Sequence, residues 1–380
     1  MFITSNFDSG NIIVNSLDDP KNIQLEIKKD TQSDFYQWFY FKLTGAADVS
    51  CKLNITNAGG AAYAKGWNGY KACASYDREI WFRVDTSFDG QTLSIDHTPE
   101  ADGIYYAYFT PYTMERHANL ICEAITSPLV KHTMLGHTLD GQDIDLLEVS
   151  DGKDTDKKLK CWFIARQHPG ESMAEWWAEG FLEKLLDESD PISRKLLQSC
   201  VFYIVPNMNP DGTKRGHLRT NAVGSNLNRE WNASSMKKSP EVHLVLQAMR
   251  EKGIDFHMDV HGDEDLPYNF LVGFEGIPNL STIQLQLFQS YQQALLKQSP
   301  DFQTENGYPV DPPGKGNLQI CNNYIAETFR CPAMTLEMPF KDNANLPDID
   351  FGWSADRSMH LGRSCLSALW DVLPALQASK

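Results

Sequence analysis

No segment of the chain approaches about 18 uninterrupted apolar residues, so no membrane-spanning helix is expected. The opening residues, MFITSNFDSG, carry neither the basic stretch nor the apolar core that a secretory leader uses. Basic residues are also in deficit: 34 Lys and Arg stand against 50 Asp and Glu, giving a formal charge of -16, and no run of five occurs. Such a field repels a nucleic acid backbone and argues against nucleic acid as a partner. Cysteine is sparse as well. The eight, at 51, 73, 122, 161, 200, 321, 331 and 365, form no Cys-x-x-Cys pair and no dense framework, and in a chain of this size they read as reduced thiols. These absences predict a soluble, cytoplasmic protein with no membrane or nucleic acid partner, and leave the sequons at Asn54 and Asn232 without a secretory context.

What is present is globular: 42% hydrophobic, 22% charged and 11% aromatic residues. At 380 residues the chain exceeds a usual domain of about 100 to 200, so one large or two unequal domains are expected. Up to about residue 115 the text consists of short runs such as NIQLEIKK, DFYQWFYFKLTG, EIWFRVDTSFDG and GIYYAYFTPY. They alternate apolar and polar positions or carry aromatic and β-branched residues between turn formers, which predicts an antiparallel β-sandwich over 1–117. From 118 to 380 continuous apolar strands alternate with helices, which predicts an α/β domain whose sheet is covered on both faces. A hairpin is expected over 131–152 around Asp140-Gly141.

In such a sheet ligands gather beyond the carboxyl ends of strands. Four polar clusters fall there: His168 to Glu171, Asn207 to Gly212, Asp259 to Gly262, and Glu337. Zinc in hydrolases commonly takes three N or O ligands from the protein. His168 and Glu171 flank a Pro-Gly turn and can converge on one ion, with His261 of DVHG as a third ligand. Asp259, two residues earlier on an extended strand, lies on the side of His261 and can order it. A lone histidine is more often structural or solvated, so at this point both readings stand.

The segment NMNPDGTKRGHLRTNAVGSNLNREW, 207–231, concentrates Arg215, Arg219, Arg229, Asn221, Asn226 and Asn228. It reads either as a solvated surface loop or as a donor-rich site for a small anion, since arginine forks bind carboxylates and a guanidinium can stabilise an oxyanion. Glu337, on an apolar strand, needs a partner or a purpose. A salt bridge, a helix cap, and general acid-base work on a water beside a metal are the alternatives.

These motifs, in this order, resemble the zinc carboxypeptidase family (peptidase M14), and more closely its cytosolic carboxypeptidase-like branch. HPGES with its Trp-rich helix, VPNMNPDG, the Arg and Asn spacing through NREW, DVHG and TLEMP lie in family order over roughly 160–340, and FDSGNI with YYAYFTPYT resembles the branch's N-terminal sandwich. The resemblance implies a mixed-sheet α/β/α catalytic domain and one zinc ion per chain on His168, Glu171 and His261. That ligand set is a property of the family rather than a reading of these residues. It further implies oxyanion stabilisation by Arg219, capture of the substrate's terminal carboxylate by Asn228 and Arg229, and Glu337 as the residue that activates water.

The activity so implied is removal of the C-terminal residue of a peptide or protein. Lys315, in a Gly-rich loop, and Arg215 are the candidates for pairing with an acidic C-terminal side chain. The text after His261, Asp263-Glu264-Asp265, departs from the basic stretch of the cytosolic branch, and Tyr324 is assigned no role. A zinc-dependent deacylase or amidohydrolase acting on an N-acyl amino acid is the rival within the superfamily. A non-catalytic peptide-binding protein is the rival outside it.

Overall fold

The computed structural model describes all 380 residues. Ten strands make up the N-terminal part: β1 (Phe2–Thr4), β2 (Ile13–Ser16), β3 (Ile23–Glu26), β4 (Tyr40–Thr44), β5 (Cys51–Ile55), β6 (Ala72–Ser75), β7 (Phe82–Val84), β8 (Thr86–Phe88), β9 (Leu93–His97) and β10 (Gly103–Ala107). They form two five-stranded sheets, in the orders β1-β4-β10-β6-β7 and β2-β3-β5-β9-β8. Their pairings are antiparallel except β3 with β5. That pair is parallel because the chain leaves β3, crosses to the other sheet as β4 and returns in its original direction.

Seven further strands form one mixed sheet: β11 (Val130–His137), β12 (Asp143–Val149), β13 (Leu159–Ala165), β14 (Cys200–Val205), β15 (Phe256–Asp263), β16 (Phe270–Val272) and β17 (Ala333–Pro339), in the order β11-β12-β14-β13-β15-β17-β16. β14, β13, β15 and β17 are mutually parallel, and antiparallel strands flank them on both sides. The parallel strands are buried at every position except the half-buried Lys160, which explains their largely apolar text. The expected hairpin is β11 and β12, turned at Gly141 with φ of 81°.

Eight helices complete the chain: α1 (Met114–Ala124), α2 (Met173–Leu186), α3 (Pro191–Ser199), α4 (Pro210–Arg215), α5 (Pro240–Lys252), α6 (Thr282–Gln298), α7 (Cys321–Phe329) and α8 (Ala355–Ala378). Strand alternation sorts them. Phe163 of β13 packs on Phe181 of α2 and Phe256 of β15 on Tyr291 of α6, whereas Trp162 bonds Gly253 after α5 and His257 faces Cys321 of α7. Asp211 and Gly212, within the 207–231 segment that also reads as a surface loop, lie in α4, where the Asn209 side chain caps the Gly212 N–H and Gly216 closes the helix at φ of 70°.

The apolar core is continuous across both parts. Tyr108 at the end of β10 stacks on Phe340 after β17 with ring centroids 4.4 Å apart, and Arg83 of β7 donates to the carbonyls of Phe340, Lys341 and Trp353.

Candidate active site

The carboxyl ends of β13, β15 and β17 open into a cavity of about 630 Å³ lined by His168, Glu171, Arg219, Asn228, Arg229, His261 and Glu337. Parallel pairing of β15 with β17 places His261 directly beside Glu337. His168 and Glu171 leave β13 through a tight turn, which is drawn in by Arg166. That arginine is 1% exposed, has φ of 62°, donates to the carbonyl of Pro169 at 3.0 Å, and pairs with Glu175 of α2 at 2.7 Å.

One ligand atom each from His168, Glu171 and His261 lie within 4.8 Å of one another, all buried. Glu171 Oε1 is 2.6 Å from His168 Nδ1, and Oε2 is 2.7 Å from His261 Nδ1. The outer nitrogens are engaged: His168 Nε2 meets Asn226 Oδ1 at 3.0 Å, and His261 Nε2 meets Asp259 Oδ2 at 2.9 Å. Asn226 Oδ1 also accepts the Asn228 N–H, so it acts as an acceptor, puts the His168 proton on Nε2, and leaves Nδ1 as a lone pair turned inward. Asp259 is in turn fixed by Gln167, whose Nε2 donates at 2.6 Å while its Oε1 accepts from Trp231.

Burial pushes the His168 imidazole down to about 3, aided by Arg219, so it is neutral. Burial would likewise depress His261 and raise Glu171, but Asp259 and Glu171 hold the metal-free His261 well above its usual range, and the two histidines hold Glu171 below. Two inward nitrogens and a carboxylate, with acceptors behind both rings, fit a zinc ion in donor type and number.

Glu337 is 7% exposed, and its Oε2 has no hydrogen-bond partner. Burial raises its carboxyl well above the usual range, against the pull of His261 and with the repulsion of Glu171, Asp263 and Glu264. Arg219 makes no side-chain hydrogen bond. Its Nη1 lies 3.9 Å from Glu171, its Nε is buried without a partner, and its guanidinium sits 5.6 and 5.3 Å from the rings of Phe35 and Tyr63. Asn228 Oδ1 accepts the Cys321 N–H at 2.9 Å, which turns its amide nitrogen away from that contact, and Arg229 donates to the Asn228 carbonyl at 2.6 Å.

Two expected substrate contacts, Arg215 and Lys315, are not among the residues that line the cavity. Arg215 is held by a bidentate pair with Asp140, both bonds 2.8 Å, and by the Ala222 carbonyl, because α4 directs it toward the β11–β12 hairpin. Lys315 is exposed and does not line the cavity, although its neighbour Gly316 donates to the carbonyl of the wall residue Gly276 at 2.7 Å. Tyr324 faces away and accepts from Arg250. No motif or spacing marks Tyr63, which lines the cavity from the N-terminal part, or Tyr308, which donates to Asp263 there. The role of Asn226 was also hidden, although its segment stood out as donor-rich.

Residues 122–344 match the family described as zinc carboxypeptidase, and residues 3–109 match the cytosolic carboxypeptidase N-terminal domain. The chain belongs to the zinc carboxypeptidase family. As a member it is a carboxypeptidase, a hydrolase of peptide C-termini. A metallo-carboxypeptidase from Burkholderia cenocepacia is 48% identical with a TM-score of 0.96, covering 98% of this chain and 99% of that one. A metallo-carboxypeptidase from Pseudomonas aeruginosa, solved with (2-guanidinoethylmercapto)succinic acid, is 43% identical with a TM-score of 0.97, covering 99% of this chain and 100% of that one. Mouse cytosolic carboxypeptidase 3 is 26% identical over 316 residues, which are 74% of this chain but 31% of the mouse protein. No helix of this carboxypeptidase is long and apolar enough to cross a membrane.

Proposed function

We propose that this carboxypeptidase holds one zinc ion on His168, Glu171 and His261 and removes single C-terminal residues from peptides or proteins in the cytoplasm. The observation that carries the reading is the buried, partner-free carboxylate of Glu337 paired in register with His261, at the rim where the three ligand side chains converge. When bound, zinc supplies Lewis-acid chemistry, polarising a carbonyl and acidifying water.

The chain's own residues do the rest. Asn228 and Arg229 hold the terminal carboxylate, which sets the last peptide bond over the ligands and excludes internal bonds. Arg219, whose guanidinium has no protein acceptor, offers its N–H groups to the carbonyl oxygen as charge develops. Glu337, made more basic by burial, takes the proton of the attacking water and delivers it to the departing nitrogen. The cytoplasmic setting is supported by eight free cysteines and by relatives named as cytosolic carboxypeptidases.

Side-chain preference follows the walls. Neither Lys315 nor Arg215 lines the cavity, and its two cations, Arg219 and Arg229, are already engaged by the carbonyl and the terminal carboxylate, so an acidic C-terminal side chain meets Asp263, Glu264, Glu275, Glu305 and Asp311, and neutral and basic C-terminal residues are expected to leave faster than Glu or Asp.

Mass spectrometry of a peptide library with varied C-termini, each peptide paired with its C-terminally amidated twin, tests the reading on zinc-loaded wild type and Glu337→Gln. Loss of one residue from free C-termini alone, by wild type alone, is expected. Cleavage of the amidated twins at equal rate would remove the carboxylate grip, and an active Glu337→Gln protein would remove the acid-base assignment.

A further inference from the structure

Arg219 lines the cavity as a long cation with no side-chain hydrogen bond to hold it, so its placement rests on its backbone and on packing. Its backbone segment, residues 217–220, belongs to no helix or strand and has no ladder of its own. The His217 N–H goes to the Gly212 carbonyl at 3.0 Å, and the N–H groups of residues 218–220 go to the carboxylate of Asp30, which is 3% exposed and lies in the N-terminal part. Asp30 Oδ1 accepts from the Leu218 N–H at 2.7 Å, and Oδ2 accepts from the Arg219 and Thr220 N–H groups at 2.8 Å each and from the Thr220 hydroxyl at 3.0 Å.

Three consecutive backbone donors on one buried carboxylate define the path of the chain at Arg219 far better than neutral bonds would. Adjacent contacts reinforce it. The Thr31 N–H donates to His217 Nε2 at 3.1 Å, and Leu218 O accepts the Gly170 N–H at 2.8 Å, which joins the segment to the turn between the ligands His168 and Glu171. The two rings flanking the guanidinium, Phe35 and Tyr63, come from the same N-terminal part.

We propose that Asp30 is a positioning residue for Arg219, so that the N-terminal sandwich is a working part of the catalytic site. The inference rests on the assignment of Arg219 to the developing oxyanion.

A double-mutant cycle tests it: kcat and KM on one free-C-terminus peptide for zinc-loaded wild type, Asp30→Asn, Arg219→Ala and the double variant, with zinc per chain measured for each. Asp30→Asn is expected to lower kcat by about tenfold while KM and zinc content hold, and to do so only where Arg219 is present. Equal losses in both backgrounds, or no loss, would overturn the positioning role while leaving Arg219 in place. An Arg219→Ala protein with unchanged kcat would overturn the oxyanion assignment and the positioning role together, an outcome visible in that single variant. Should Asp30→Asn not fold, the same cycle with Thr220→Val, which deletes one of the four bonds at constant shape, decides. A loss of about threefold only in the presence of Arg219 upholds the role, and equal losses overturn it.

Discussion

His168 and His261 both turn Nδ1 toward Glu171, and both do so because an oxygen acceptor occupies Nε2. Such outer partners tune a metal ligand nearly as strongly as the ligand's own identity. Replacing Asn226 by Ala is therefore expected to weaken metal affinity by about ten- to a hundredfold at unchanged fold, measured by competition with a chelator. The two partners differ in how far the sequence exposes them. Asp259 was readable because residues two apart on a strand share a face. Asn226 was not, since it reaches His168 across 58 residues through irregular backbone, and no periodicity governs such a contact.

At the scale of elements, α2 and α8 cross with their backbones in near contact. A Cβ on Gly180 would lie 2.3 Å from the Met359 carbonyl oxygen, and one on Gly362 would lie 2.3 Å from that of Trp177. Gly180→Ala is accordingly expected to destabilise the protein by about 1 to 3 kcal/mol or more in denaturant unfolding, despite alanine's better helix propensity.

The join of α1 to α2 and β12 carries a charge network: His117 bonds Glu175 at 2.5 Å and Asp145 at 3.1 Å, with His132 on Asp145 and Arg166 on Glu175. Burial alone would lower His117, but Glu175 and Asp145 outweigh it and raise the group to about 9. Below the unfolded value of about 6.5 both states hold the proton and the full contribution is present; as pH rises toward 9 only the folded state keeps it, and stability falls. The melting temperature should drop between pH 7 and 9, and the drop should flatten in His117→Gln.

The helix at 173–186 and the strands ending in ligands stood out by their apolar runs. The run EIWFRVDTSFDG, which alternates as one strand would, is split at Asp85 into β7 and β8 on different sheets, because local alternation does not encode which sheet receives a residue.

For the whole molecule, the expected division at residues 117 and 118 falls inside α1 (Met114–Ala124), and the sandwich and the mixed-sheet part on either side of that helix share one core. Removing the N-terminal part would expose Phe340 and strip the carbonyls that Arg83 satisfies, along with the Asp30 contacts. Residues 118–380 alone are therefore expected to aggregate or to lack a cooperative unfolding transition, as read by circular dichroism on heating; a soluble fragment with a sharp transition would show that the catalytic part folds independently.

The sequence by itself determined the class of fold, the order of the strand-end motifs, and the residue types that converge on a metal, because hydrophobic periodicity and turn chemistry are local and survive in one dimension. Only the tertiary structure decided that Arg215 turns to Asp140, that Asn226 stands behind His168, and that Asp30 and Tyr63 reach across from the sandwich to the segment and side chain of Arg219. Those contacts join residues tens to hundreds of positions apart, and their geometry depends on how finished elements pack rather than on any spacing along the chain.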